Sequence, residues 1–210
     1  MRIALSKGYL LGPAIELFQS VGIDVTKEDA KSRKLTFTDK SGKYEFVVIR
    51  PADVPVYVEH GAVDIGIAGK DVLVESSCSV AELLDMKFGY CKMVVAALQE
   101  DNITKCEPNM RVATKFVNTT VNYFKEKDLN VEIIKLYGSV ELAPIAALSD
   151  VIVDLTATGT SLRENNLEIV DTIMESTARL VANKVKMKTN FDEIIELTEK
   201  LQKTVRESNN

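Results

Sequence analysis

Short apolar runs rich in Val and Ile recur along the chain: RIAL at 2–5, YEFVVI at 44–49, VDIGIA at 63–68, MVVAAL at 93–98, RVAT at 111–114, VEIIKL at 131–136 and VIVDL at 151–155. Runs of this length predict buried strands. Between them, PAIELFQSVG, NTTVNYFKEKDL and SVELAPIAALSD have helical character, and the last covers residues 139–150. Strands alternating with helices predict an α/β protein with largely parallel sheets. From Phe191, the apolar residues Phe191, Ile194, Ile195, Leu201 and Val205 follow helical spacing with charges between them, so a final helix docks one face on the protein. LTFT followed by DKSGKYEF predicts a hairpin turning at Ser41 and Gly42.

At 210 residues the chain can bury a stable core as one large domain or two small ones. Its three cysteines, Cys78, Cys91 and Cys106, lack C-x-x-C spacing and accompany a single histidine, which argues against a disulfide framework or a zinc site. No signal peptide or membrane span is legible, so a cytoplasmic protein with no membrane partner is expected. The 31 acidic residues outnumber the 26 basic ones, which argues against nucleic acid as a partner. Small phosphorylated ligands stay open, because a few well-placed cations and backbone N–H groups bind them.

VIVDLTATGTSLRENNL, residues 151–167, begins as a buried strand and ends in one carboxylate and a row of small hydroxyl residues around Gly159. In open α/β sheets ligands bind beyond the carboxyl ends of strands, where helix N-termini offer unpaired N–H groups. Gly159 lets a phosphate approach the main chain, and Thr158, Thr160 and Ser161 add hydroxyls. Asp154 suits sugar hydroxyls or a metal-bound partner. By local chemistry alone, an ordinary N-cap accounts for the stretch equally well.

The longer string ELAPIAALSDVIVDLTATGTSLRENNL resembles the signature of the ATP phosphoribosyltransferase family, in which a Glu-x-x-Pro helix runs into Asp-x-Ile-x-Asp and Thr-Gly-x-x-Leu-Arg-x-Asn. LSKG at 5–8, SRKL at 32–35, RPADVPVYVEHGAVDIGIAGKDVL at 50–73 and ESTARLVAN at 175–183 are similar to family segments in family order. Three positions depart from the pattern. Tyr9 stands where many members have arginine, Ala147 where glycine is common, and Asn166 replaces the glycine of Asn-Gly-Leu.

The resemblance implies a two-lobed fold of the periplasmic-binding-protein type II class, with a ligand cleft between lobes. Residues 1–90 plus 171–210 would form the first lobe and 91–170 the second, which carries the phosphoribosyl-binding loop. The implied reaction transfers the phosphoribosyl group of phosphoribosyl pyrophosphate (PRPP) to N1 of the adenine of ATP, with Mg2+ mainly on the substrate phosphates. The ribose 5-phosphate would lie on Ala157, Thr158, Gly159, Thr160 and Ser161, with Asp154 and Glu141 facing ribose hydroxyls or the metal. Arg50 would clamp pyrophosphate or triphosphate oxygens, since guanidinium matches phosphate in a bidentate manner. Lys7 and Arg33 would complete the cationic pocket, with Gly69 expected to allow close approach of ATP. Arg163 serves either the ligand or a structural salt bridge.

His60 reads as a surface or helix-end residue, since the reaction demands no general base. Gly61, Asp64, Gly66 and Gly69 form a helix–strand–loop element, with Gly61 explained by turn chemistry. The chain length resembles the short form of the family. That form works with a histidyl-tRNA-synthetase-like regulatory subunit, as a homo-dimer within a hetero-oligomer. The competing expectation is a small-ligand-binding module of the same fold without catalysis.

Overall fold

The computed structural model describes residues 1–25 and 35–207. They divide into two units, Met1–Gly89 with Thr177–Asn210 and Tyr90–Ser176. The strands are β1 (Arg2–Ser6), β2 (Thr36–Thr38), β3 (Glu45–Ile49), β4 (Ile65–Gly69), β5 (Ala81–Asp85), β6 (Cys91–Leu98), β7 (Arg111–Thr114), β8 (Glu132–Lys135), β9 (Val151–Thr156), β10 (Leu167–Ser176) and β11 (Ala178–Ala182).

In the first unit the strand order is β2-β3-β1-β4-β11-β5. Alternation along the strands sorts its core into two layers. Ile3, Leu5, Phe46, Ile65, Ile67 and Leu180 pack with Ala14, Ile15 and Phe18 of the Leu11–Ser20 helix and with Ile194, Leu197 and Leu201 of the Phe191–Glu207 helix. Ala4, Ala68 and Val181 pack on the opposite face with Val54 and Val58 of the Val54–Glu59 helix. That helix lies so close that a Cβ on Gly66 would meet Val54 Cγ1 at 2.8 Å. Gly66 is therefore a packing glycine. The predicted hairpin forms, with β2 antiparallel to β3.

The second unit has the order β10-β6-β9-β7-β8. Met93, Val95, Val112, Val151 and Val153 face Phe116, Tyr123 and Phe124 on and beside the Val117–Glu126 helix. Val94, Ala96, Ala113 and Ile152 face Val140, Ala143 and Leu162 on the other side.

The structure corrects several expectations. The sheets are mixed, not largely parallel: β3-β1-β4 and β9-β7-β8 run parallel, whereas β2, β5, β6, β10 and β11 pair antiparallel. Parallel pairs need a helical crossover; β2 and β3 are instead joined by a hairpin, and β5, β6, β10 and β11 are the strands that flank the two points, 89–90 and 176–177, where the chain passes from one unit to the other. Over 139–150 only Leu142–Ile145 is helical. Ser139 and Ala147 take positive φ at 48° and 53° and bracket it. The apolar residues that suggested a longer helix, Leu142, Ile145 and Leu148, are exposed and have no core to face. The final helix buries Ile194, Leu197, Leu201 and Val205 but leaves Phe191 exposed.

β10, hidden in the sequence by Glu168, Asp171 and Glu175, pairs with β6 through Ser176. Residues 171–176 therefore lie in the second unit, beyond the expected boundary at 170. β11 was hidden by Arg179, whose charge is met by Glu82 at 3.2 Å and Asp85 at 3.3 Å. Two departures from the family pattern fall on left-handed backbone. Asn166 at φ 55° is a residue that tolerates it, and Ala147 bears a steric cost.

Candidate active site

The carboxyl ends of strands are where an open α/β sheet presents loops and helix N-termini. In the second unit, β9 is buried from Val151 to Asp154 and leaves the sheet at Thr156. Ala157 and Thr158 follow in the open, Gly159 takes φ 74° and ψ 5°, and the Thr160–Glu164 helix begins. A Cβ on Gly159 would adopt a strained backbone and stand 2.9 Å from Arg163 Nη1, so the turn itself requires glycine.

The Gly159 N–H donates to Thr156 Oγ1 at 2.9 Å. Among the described residues no protein acceptor takes the N–H groups of Ala157, Thr158, Thr160 or Ser161. The side chains around them are tied together. Thr158 Oγ1 lies 2.9 Å from Thr160 Oγ1. Arg163 donates through Nη1 to the Thr158 carbonyl at 3.0 Å and through Nη2 to Thr160 Oγ1 at 3.2 Å. Arg163 thus braces the loop through its carbonyl and hydroxyl and makes no ion pair there. Ser161 Oγ donates to Glu141 Oε1 at 2.7 Å, which brings Glu141 onto the loop.

Asp154 is buried at the strand's end. Its Oδ1 accepts the Leu155 N–H at 2.8 Å and pairs with Lys115 Nζ at 3.1 Å. Lys115 carried no motif in the sequence. The available signal was its position directly after the RVAT strand, at the sheet end where ligands bind. The helix behind it is anchored to β10: Tyr123 donates to Asp171 Oδ2 at 2.5 Å and Lys127 Nζ to the same oxygen at 2.6 Å. Burial, with the bond to Asp171 adding to it, pushes the Tyr123 phenol up to about 12, so it stays a donor.

In the first unit β3, β1 and β4 lie side by side in parallel, with Ser6 opposite Ile49 and Leu5 opposite Ile67. Lys7 and Arg50 are the residues immediately beyond these ends, and the Lys7 N–H donates to the Ile49 carbonyl at 2.7 Å. Both side chains are exposed, and among the described residues neither has a protein partner. Arg50 is extended, φ −63° and ψ 143°, as a residue before proline must be.

Gly69 closes β4 at the same end. The space of its missing Cβ is filled by the chain itself, with Asp71 Oδ1 at 2.3 Å from where that atom would stand. Asp64 is a structural anchor, accepting the Arg2 N–H at 2.7 Å and pairing with Lys186 at 3.3 Å. His60 caps the Val54–Glu59 helix in an exposed position, and Gly61 takes φ 70° just after it. Tyr9 is exposed and donates to the Gly89 carbonyl at 3.1 Å. Arg33 lies outside the described residues.

The family model for ATP phosphoribosyltransferase matches residues 50–203. An ATP phosphoribosyltransferase of Caldanaerobacter subterraneus subsp. tengcongensis is 49% identical over 208 residues, spanning 97% of this chain and 96% of the relative. The solved ATP phosphoribosyl transferase (HisG:HisZ) complex from Thermotoga maritima contains a chain 35% identical, with a TM-score of 0.85 and 99% of each chain covered. The periplasmic aliphatic sulphonate binding protein SsuA of Escherichia coli is 12% identical, with a TM-score of 0.63 over 98% of this chain and 68% of its own, a likeness of fold alone.

Proposed function

The chain belongs to the ATP phosphoribosyltransferase family, and on that premise we propose how its residues divide the work. The reaction is a pentosyl transfer, from PRPP to N1 of the adenine of ATP with release of pyrophosphate, and it begins histidine biosynthesis. Adenine N1 is a weak nucleophile. Rate must therefore come from stabilising the departing pyrophosphate and the positive charge growing on the ribose.

The observation that carries the assignment is the row of unclaimed N–H groups at Ala157, Thr158, Thr160 and Ser161 around a left-handed Gly159. These amides, with the hydroxyls of Thr158, Thr160 and Ser161, take the ribose 5-phosphate. Asp154 and Glu141 each keep one carboxylate oxygen without a protein partner among the described residues, and these oxygens accept the ribose hydroxyls. Arg50 and Lys7 serve pyrophosphate and triphosphate oxygens. Arg33 and Gly69 belong to the ATP side, Gly69 through its backbone only.

Mg2+ bound on the substrate phosphates would offset charge on the departing pyrophosphate. Among the described residues no cluster of three His, Cys, Asp or Glu is arranged to hold a metal. The open carboxylate oxygens of Asp154 and Glu141 fit a hard cation shared with phosphate. The Thermotoga maritima relative is a HisG:HisZ complex. This chain takes a partner of that kind, a histidyl-tRNA-synthetase-like regulatory subunit, around a homo-dimer of itself in the cytoplasm. Among the described residues no helix is long and apolar enough to cross a membrane.

The test is a pyrophosphate-release assay on the chain mixed with its regulatory partner. Pyrophosphate should form only when ATP, PRPP and Mg2+ are all supplied. Release without ATP would mean hydrolysis, and none under any condition would favour a binding module.

A further inference from the structure

Lys115 and Asp154 each lie one residue beyond the register pair Thr114–Val153 of the parallel strands β7 and β9. The backbone around Lys115 is fixed on both sides. Thr114 Oγ1 donates to the Val153 carbonyl at 2.8 Å, while the Phe116 N–H donates to Thr114 Oγ1 at 2.9 Å. The Phe116 carbonyl in turn accepts Thr120 Oγ1 at 2.6 Å and the Thr120 N–H at 3.0 Å, which starts the helix at a set point. Lys115 Nζ also sits 5.0 Å from the centre of the Phe116 ring, a second attraction that limits where the ammonium can go.

The ion pair is asymmetric in exposure: 42% of the Lys115 side chain but only 12% of that of Asp154 is open to solvent. A carboxylate with so little water must be held by the protein. Both of its protein contacts, the ammonium of Lys115 and the Leu155 N–H, fall on Oδ1. Oδ2 has no protein partner among the described residues. One oxygen is therefore pinned, which fixes the plane of the carboxylate and presents the other oxygen in one direction.

We infer that Lys115 is a positioning residue for sugar recognition: by holding Asp154 Oδ1 it aims Oδ2 at the ribose hydroxyls of PRPP. This rests on the assignment of the 157–161 loop to the sugar phosphate. The ammonium acts on the substrate through Asp154, and the leaving group and adenine bind elsewhere, so the effect is confined to PRPP.

The experiment compares wild-type chain with Lys115→Met, Lys115→Arg, Asp154→Asn and the Lys115→Met/Asp154→Asn double variant, all as the complex with the regulatory partner. Pyrophosphate release gives KM for each substrate, calorimetry with Mg2+-PRPP gives Kd, and thermal melting gives Tm. Lys115→Met should raise KM and Kd for PRPP about tenfold and leave KM for ATP unchanged, because a lost hydrogen bond to a charged group is of that size, while Tm falls because the mostly buried Asp154 loses its counter-charge. Lys115→Arg should restore most of the affinity. In the double variant the loss should equal that of Asp154→Asn alone, the signature of a residue acting through its neighbour.

Additive losses in the double variant would overturn positioning in favour of direct phosphate contact. Unchanged PRPP parameters in Lys115→Met, parallel rises in both KM values, or no rescue by arginine would each overturn it as well. Wild-type complex that fails to bind PRPP at all removes the loop assignment, and this inference with it. Binding by wild type with no effect at Lys115 removes the inference alone.

Discussion

Under the proposed assignment the two units meet the same problem, recognition of phosphate and sugar oxygens at the carboxyl ends of parallel strands, with opposite degrees of preparation. Beyond β1 and β3 stand two cations, Lys7 and Arg50, exposed and without protein partners among the described residues. Beyond β9 the side chains are already engaged: Asp154 with Lys115, Glu141 with Ser161, Thr158 with Thr160, and Thr160 with Arg163, while the amides between them are left open. The contrast separates two ways of binding an anion. A braced loop has settled its conformational entropy in folding. A free lysine or arginine must surrender about 2 kcal/mol of rotamer freedom when it closes on a ligand, and returns it in charge.

Substitutions should therefore fail differently at the two places, and the largest effect belongs to the bare one. Arg50→Ala is expected to lower kcat about a hundredfold, because an unpartnered guanidinium spends its whole interaction on the charge that develops in the transition state. Its Tm should not move, since among the described residues the side chain has no hydrogen-bond or ion-pair partner. Arg50→Lys should recover only part of the rate, for want of the bidentate fork. If folded Arg50→Ala keeps full rate, the leaving-group clamp is misassigned.

Next in size is Gly159→Val. It forces a β-branched residue into a φ of 74° and a Cβ toward Arg163 Nη1, so the brace on the Thr158 carbonyl breaks with the turn. PRPP affinity should fall about thirtyfold by calorimetry, a strain of ~2 kcal/mol expressed in binding, with KM for ATP unaffected. A variant that bound PRPP normally would show that the loop is less prepared than its hydrogen bonds suggest, and the contrast between the units would lose its basis.

The prepared side was also the more legible one from its residues. Val151 to Leu155 declared a buried strand, and Thr158-Gly159-Thr160-Ser161 declared a tight polar turn. What the residues alone did not show was which of them were already bonded to each other. Lys115 is thirty-nine positions from Asp154 and meets it only because β7 and β9 are register neighbours. Arg163 read as a possible salt-bridge partner because sequence supplies its charge and not the carbonyl it holds. Gly69 read as room for a ligand, yet its own Asp71 occupies that room.

The same blindness explains the misjudged elements. Leu142, Ile145 and Leu148 repeat with helical spacing on an exposed surface, where periodicity has no core to respond to. β10 carries carboxylates because it is an edge strand, and β11 an arginine because Glu82 and Asp85 neutralise it. Alternation of strands with helices foresaw the α/β class but not the antiparallel strands beside the points where the chain passes from one unit to the other.

The smallest expected effect concerns what holds the braced side in place from behind. Asp171 on β10 receives Lys127 and Tyr123, and these bonds, that of Lys127 first, hold its carboxyl below the usual aspartate value. A depressed carboxylate contributes stability that is fully present above the unfolded value of about 3.9 and is lost as pH falls through the folded one. Asp171→Asn should therefore melt about 2–4 °C below wild type at pH 7, for a loss on the order of 1 kcal/mol at a partly exposed site. The gap should close as pH is taken below 4, where the wild-type carboxyl also becomes neutral. KM for both substrates should stay as in wild type, since Lys127 stands at the C-terminal end of the Val117–Glu126 helix and Lys115 before its N-terminus. A gap that persists unchanged into acid would assign the loss to packing instead of charge, and a rise in KM for PRPP would mean that this helix sets the position of Lys115 more directly than the lock at Thr114 does.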